Sequence, residues 1–164
     1  MFRKVALAVI LTAASAVSLS AQTDNQVPTP SVWKADLAAS DFGGSPPPKS
    51  DTLYMKVDSD RWLSWEDVTV DADGKSTTIS WIGIPDGSLR PVTGTKDMAA
   101  YQKNGDAHWA LENGGAVDCT FLLSSDKKKA TMDCTYKGKS GNEAQYKTVY
   151  IRSDEKESPA AATP

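Results

Sequence analysis

The sequence is poor in the residues on which most enzymes and metal proteins depend. His108 is the only histidine, so a multi-histidine metal site is excluded. No G-x-S-x-G sequence is present that could form a hydrolase nucleophile elbow. Lys and Arg number 18 against 21 Asp and Glu, which leaves no positive footprint for tracking nucleic-acid phosphates. We therefore expect no metal, no cofactor, no nucleic-acid partner and no enzymatic activity.

Long apolar runs are missing beyond the N-terminus. Arg3 and Lys4 precede an uncharged apolar run from Val5 to Val17, which gives way to small residues. This pattern predicts a cleavable secretory signal peptide over residues 1–21 and leaves the cleavage position open. The run is too short to cross roughly 30 Å of hydrocarbon, so we expect no membrane span. The expected location is the periplasm or the medium outside the cell.

Two polar segments enclose a single predicted domain. Residues 22–32 are polar and contain prolines, and residues 153–164 are charged and then rich in alanine and proline. Neither segment can bury enough apolar surface to order itself, so we predict a disordered linker and a disordered tail. Residues 33–152 between them suffice for one domain with a single core.

Apolar and polar residues alternate along most of this domain, as in half-buried strands. Leu53, Met55 and Val57, for example, share one face of the segment at residues 52–58. Tight-turn sequences such as Asn104-Gly105 separate the segments, and short turns join neighbouring antiparallel strands. The sequence therefore predicts an all-β antiparallel meander of eight to ten strands. Closure into a barrel, complete or nearly so, would remove the edges; a two-sheet sandwich is the alternative.

Three successive turns predict a strand register for the second half of the domain. They are centred on Asn104-Gly105, on residues 113–115 and on Asp126-Lys127. A one-residue slip would carry aspartates to the core face, so the register is expected to be well determined. It turns His108 outward, opposite Tyr101. The predicted inward pairs are Ala100 with Trp109, Met98 with Leu111, Leu111 with Val117, Trp109 with Cys119, Phe121 with Met132, and Cys119 with Cys134.

This register gives the two cysteines a structural role. Cysteines of an exported chain are expected to pair, and directly opposed antiparallel residues lie within disulfide range. We therefore predict a Cys119–Cys134 disulfide within one hairpin. Its stabilising effect in the chain-entropy model is about 3 kcal/mol. Residual order in the unfolded hairpin would reduce this value.

Several short motifs in the first half of the domain carry a family resemblance. They are WKADL at residues 33–37, PPPKS at 46–50, DADGK at 71–75, DG at 86–87 and VTG at 92–94. The chain resembles small exported bacterial proteins of unassigned function that are similar to lipocalin-like β-barrels. The resemblance covers residues 33–94 and implies a barrel and export, not an activity. Because lipocalins stack a late arginine on the tryptophan that opens the barrel, it also implies a Trp33–Arg152 cation–π contact of about 0.5–2 kcal/mol. A solvated Arg152 is the alternative.

Large aromatic and sulfur-containing side chains dominate the predicted inner face. They can either fill the core at close-packed density or line a space for an apolar or flat ligand. Glu66 and Asp67 fall on opposite faces of a strand, so no inward carboxylate pair for acid–base catalysis is expected. The residues predicted to line a ligand site are Met55, Trp65, Trp81, Met98, Trp109, Phe121 and Met132.

Two functions are compatible with these sequence features. The first is an exported, non-enzymatic barrel that binds a small apolar ligand in its interior. The alternative is a binding or inhibitory module with a filled core, which contacts an envelope protein or polymer through Trp62 or the loop at residues 43–49.

Overall fold

The chain folds into a single antiparallel sheet of ten strands. The structure is a computed structural model that describes residues 26–153, and no helix occurs in that range. The predicted signal peptide, the start of the linker and the tail beyond Ser153 lie outside the described residues. The strands are β1 (Ser31–Ala35), β2 (Ser50–Asp58), β3 (Leu63–Val70), β4 (Ser76–Gly83), β5 (Arg90–Pro91), β6 (Met98–Tyr101), β7 (Asp106–Ala110), β8 (Ala116–Leu123), β9 (Lys129–Lys137) and β10 (Glu143–Ser153).

The strand order makes this sheet a nearly closed barrel. It runs β4-β3-β2-β1-β10-β9-β8-β7-β6-β5, so each strand pairs with its sequence neighbours and β1 joins β10. β4 and β5 remain as the two edges. Ser80 of β4 and Thr93, two residues after β5, are joined by two backbone hydrogen bonds of 3.0 and 2.9 Å. The predicted all-β, nearly closed barrel is confirmed, and the alternative of a two-sheet sandwich is wrong because all ten strands share one sheet.

Period-two alternation places the large side chains inside. In β4, Trp81 is 2% exposed whereas the adjacent Ile82 is 66% exposed. β2 breaks the pattern, because a bulge between Met55 and Val57 shifts the register against β3. Val57 is consequently exposed and does not share the inner face with Met55, contrary to the prediction.

The hairpin at Asn104-Gly105 differs from the prediction by one residue. The Gln102 N–H donates to the Asp106 carbonyl at 2.8 Å, and Gly105 has a φ of 92°. This geometry is a three-residue turn that ends in a left-handed glycine, which is a favoured hairpin connection. Ala99, not Ala100, therefore pairs with Trp109. A one-residue change exchanges the two faces of β6, since successive strand residues point to opposite sides.

The exchange of faces corrects two predicted positions. The expected outward position of Tyr101 is wrong, because its ring contacts those of Trp65 and Trp81 inside the barrel. Met98 is expected inward as a ligand-lining residue, but it pairs with Ala110 on the face opposite Trp109. The prediction of its position is wrong because the turn has three residues.

The two following hairpins keep the predicted faces. The β7–β8 register is displaced by two residues, so that Trp109 opposes Val117 and Ala107 opposes Cys119. A displacement of two preserves the inward set. The β8–β9 register is as predicted, and Cys119 and Cys134 form the expected disulfide with a Cα–Cα distance of 4.1 Å.

The start of the barrel is earlier than predicted. Val27 is 5% exposed, and its N–H donates to Asp58 Oδ2 at 2.6 Å. β1 begins at Ser31, so the second half of the predicted linker is ordered against the barrel. Trp33 directly opposes Arg152 across the β1–β10 pair, and the indole nitrogen of the buried Trp33 donates to Ser31 Oγ at 2.8 Å. The cation–π contact between Trp33 and Arg152 stays a prediction.

Candidate functional site

A cavity of about 500 Å³ occupies the interior of the barrel. That volume lies within the range of small-molecule sites. The wall is built from inward residues of β2, β3 and β4 on one side and of β6 to β10 on the other. The wall residues away from the ends of the barrel are mostly apolar or aromatic: Leu53, Met55, Leu63, Trp65, Ile79, Tyr101, Ala107, Trp109, Val117, Phe121, Met132, Tyr146 and Tyr150, together with the carboxyl of Asp67.

Trp65 is at the centre of an aromatic cluster in this wall. Its ring centroid lies 6.0 Å from that of Tyr101 in an edge-to-face arrangement and 5.9 Å from that of Trp109. Trp81 lies behind Tyr101, with ring centroids 4.6 Å apart, and its indole nitrogen donates to the Ala99 carbonyl at 3.3 Å. Such rings lock one another by packing. The cluster therefore presents a pre-formed aromatic surface to the cavity.

Five of the seven residues predicted to line a ligand site come together at the cavity. They are Met55, Trp65, Trp109, Phe121 and Met132. Trp81 is inward, but it packs behind Tyr101 and is not part of the lining. Met98 lies on the other face of β6.

The main polar feature of the interior is a pair of aspartates on adjacent strands, β2 and β3. Asp67 follows Trp65 on the inner face of β3 and lines the cavity, whereas Asp51, near the start of β2, is not part of the cavity lining. The Thr69 hydroxyl donates to Asp67 Oδ1 at 3.0 Å, and the Tyr150 hydroxyl donates to Asp51 Oδ2 at 3.0 Å. Asp51 Oδ1 is buried and meets no hydrogen-bond donor among the described residues. The expectation that the inner face carries no carboxylate pair is wrong.

Burial changes the acidity of this pair. Burial and, to a smaller extent, the nearby charge of Asp51 raise the pKa of Asp67 to about 7, against the lowering effect of the Thr69 hydrogen bond. Burial also raises the pKa of Asp51, against the hydrogen bond from Tyr150. A carboxyl with a pKa near neutrality can hold or release a proton when a ligand arrives.

The two tyrosines beside the pair are held neutral. Burial raises the pKa of Tyr101 and of Tyr150, and the negative charges of the aspartates act in the same direction. The Trp65 and Trp109 indoles interact with the Tyr101 hydroxyl and oppose that shift. The geometry of that contact is poor, since the buried Trp65 Nε1 has no hydrogen-bond partner among the described residues.

One end of the cavity opens to solvent. Asp60 and Lys103 line it there, with 95% and 61% of their side chains exposed, and Lys103 Nζ lies 3.5 Å from Asp60 Oδ1. Asp58 lies at the same end, where it accepts the backbone N–H of Val27. The residues before β1 thus form part of the rim.

The outer face carries a second, more open depression of about 1070 Å³. His108 lies there, as predicted for an outward residue, with its Nδ1 2.7 Å from Asp118 Oδ1. Lys137 Nζ is 3.5 Å from Asp118 Oδ2. The hydrogen bond from His108 and the charges nearby lower the pKa of Asp118. These groups are solvated and pair with one another, so the interior cavity is the better candidate site.

No family model matches the chain, and neither does any curated protein. Within residues 26–153, no cluster of three or more histidine, cysteine, aspartate or glutamate side chains could hold a metal ion. The same stretch contains no helix with the length and apolar character needed to cross a membrane.

Asp67 is the site residue that sequence reasoning missed. The signal was present, since Trp65 is assigned to the inner face and Asp67 follows it by two positions on the same strand. Asp51 stands in the same relation to Leu53 on β2. The alternation rule therefore predicts both carboxylates inward, although the general cost of burying charge argues against it.

Proposed function

We propose that this protein is a non-enzymatic barrel that binds a small, flat, largely apolar molecule in its interior. The observation that carries the proposal is the cavity of about 500 Å³, open at one end and walled by packed aromatic rings, leucine and methionine. Apolar voids leave their linings without packing partners, and a ligand of matching shape would restore those contacts. The packed rings of Trp65 and Trp109 offer a pre-formed surface for such a ligand, and the flexible side chain of Met132 can adapt to its shape.

The alternative function requires a filled core. An interior space of this size argues against that premise, even though Trp62 is half exposed at the β2–β3 turn. The disulfide supports export, because such bonds persist mainly in oxidising compartments. We therefore extend the proposal to a periplasmic or secreted protein.

The direct test is binding of N-phenyl-1-naphthylamine, a neutral probe whose fluorescence rises in apolar surroundings. We expect a saturable signal with one site per chain. Ala107 lines the cavity from β7, and Ala110 lies on the outer face of the same strand, opposite Ala116. Ala107→Trp should fill the space and abolish binding, whereas Ala110→Trp should leave it intact.

Thermal melts of both variants control for misfolding. Equal binding by Ala107→Trp and the unmodified protein, with both folded, would contradict an interior site.

A further inference from the structure

The ionisable groups of the cavity are mostly acidic. Among the described residues that line it, Lys103 is basic, whereas the acidic residues are Asp58, Asp60, Asp67 and Asp97. Lys103 lies at the solvent-exposed rim and is already close to Asp60. Clefts lined by one sign of charge attract ligands of the other sign. The field in the cavity therefore favours a cation over an anion.

We propose that the ligand carries a protonated amine, which pairs with the Asp67 carboxylate while its flat apolar part lies against Trp65 and Trp109. This inference rests on the proposed function and specifies the chemical class of the ligand. Asp67 accepts a hydrogen bond only from Thr69 within the described part of the chain, so acceptor capacity on its carboxylate is left for an ammonium group.

The aromatic cluster next to Asp67 suits the same ligand. Trp65 precedes Asp67 by two residues on the inner face of β3, and the ring centroid of Trp109 on β7 lies 5.9 Å from that of Trp65. Indole faces attract cations within about 6 Å, and the attraction strengthens where water is excluded. An anionic ligand would meet Asp67 and the negative faces of these rings, and the neighbouring Asp51 would add to the repulsion. No cation among the described residues of the inner wall offsets these charges.

Proton release should accompany binding of the amine. The Asp67 carboxyl has a pKa of about 7 before the ligand arrives. A bound ammonium group favours the carboxylate form of Asp67 and so lowers this pKa. The other titratable groups that face it are Asp51 on β2, Tyr101 on β6, and Tyr146 and Tyr150 on β10. Tyr101 and Tyr150 remain neutral between pH 6 and pH 8, so Asp67 and Asp51 are the groups that titrate. Affinity for the amine should therefore rise as the pH increases through neutrality.

The experiment compares three naphthalenes of similar shape by displacement of N-phenyl-1-naphthylamine. The probes are 1-naphthylmethylamine, which is a cation at neutral pH, neutral 1-naphthalenemethanol, and the 1-naphthoate anion. We expect the amine to bind about tenfold or more tightly than the alcohol at pH 8, as for a hydrogen bond to a charged group. Its affinity should fall about tenfold from pH 8 to pH 6, following the ionised fraction of a group with pKa near 7. The alcohol should show little change, and naphthoate should bind most weakly.

Asp67→Asn is the decisive variant, and Glu66→Gln is its matched control on the opposite face of β3. Asp67→Asn should abolish the preference for the amine and its pH dependence, while binding of the alcohol confirms an intact fold. Glu66→Gln should behave as the unmodified protein. If the amine and alcohol bind equally, or if the preference survives Asp67→Asn, the ligand class is wrong but the interior site stands. If N-phenyl-1-naphthylamine and all three naphthalenes fail to bind, both proposals are overturned.

Discussion

Replacing Asp67 by asparagine should stabilise the protein at neutral and alkaline pH. The folded carboxyl has a pKa of about 7, mainly because it is buried, against 3.8 in its ordinary state. The folded protein therefore holds this proton more tightly than the unfolded chain. Stability associated with the group is fully present below pH 3.8 and is lost as the pH rises through 7.

The size of the effect follows from that difference in pKa. About three pKa units at 1.36 kcal/mol each correspond to a penalty of about 4 kcal/mol above pH 7. Asparagine carries no charge to desolvate and can still accept the Thr69 hydrogen bond at Oδ1. Asp67→Asn should thus raise the free energy of unfolding by up to about 4 kcal/mol at pH 8 and by nearly nothing at pH 3 to 4.

The assay is urea unfolding followed by tryptophan fluorescence at pH 4, 6 and 8. The difference between variant and unmodified protein cancels the titration of groups that do not interact with Asp67, whereas the interaction with Asp51 is part of the measured effect. Glu66→Gln makes the same change of charge on the same strand, but it removes a solvated pair in which Lys56 Nζ lies 2.9 Å from Glu66 Oε2. It should destabilise by at most about 1 kcal/mol at neutral pH. A difference for Asp67→Asn that stays constant from pH 4 to pH 8 would refute the buried-carboxylate account.

Three further predictions concern the barrel itself. Replacing Cys119 and Cys134 together by alanine should lower the free energy of unfolding by about 2–3 kcal/mol, and reductant should increase the intact mass of the unmodified protein by about 2 Da. Gly94→Ala should be more destabilising than Gly141→Ala in thermal melts. Both glycines have positive φ, but only at Gly94 would the new Cβ strike the backbone of β4, where the barrel closes. Equal losses of stability would contradict close packing at this closure. Trp81→Ala should cost about 3–5 kcal/mol by urea unfolding, because the buried ring leaves a cavity behind Tyr101; a loss under about 1 kcal/mol would show that this wall is not packed.

Local patterns were sufficient for the fold class. Apolar alternation and turn residues predicted the meander, and the Asp126-Lys127 turn predicted the register that joins Cys119 to Cys134. These features depend on residues close together in the chain, so sequence spacing describes them well. The Asn104-Gly105 hairpin shows the limit. A turn of three residues in place of four reversed the faces of β6, and turn sequence alone does not distinguish the two lengths.

The interior shows the same division. The sequence by itself determined which side chains of β3 and of β7 to β9 face inward, and with them most of the aromatic and methionine lining. Only the tertiary structure decided that these side chains leave a space of about 500 Å³ between them, because opposite walls are brought together by barrel closure and not by any local contact. It also decided the acidity of Asp67, which depends on burial and on Asp51 from a neighbouring strand. The pKa of Asp67 and the volume of the cavity are properties of the whole barrel, since both arise from groups distant in sequence.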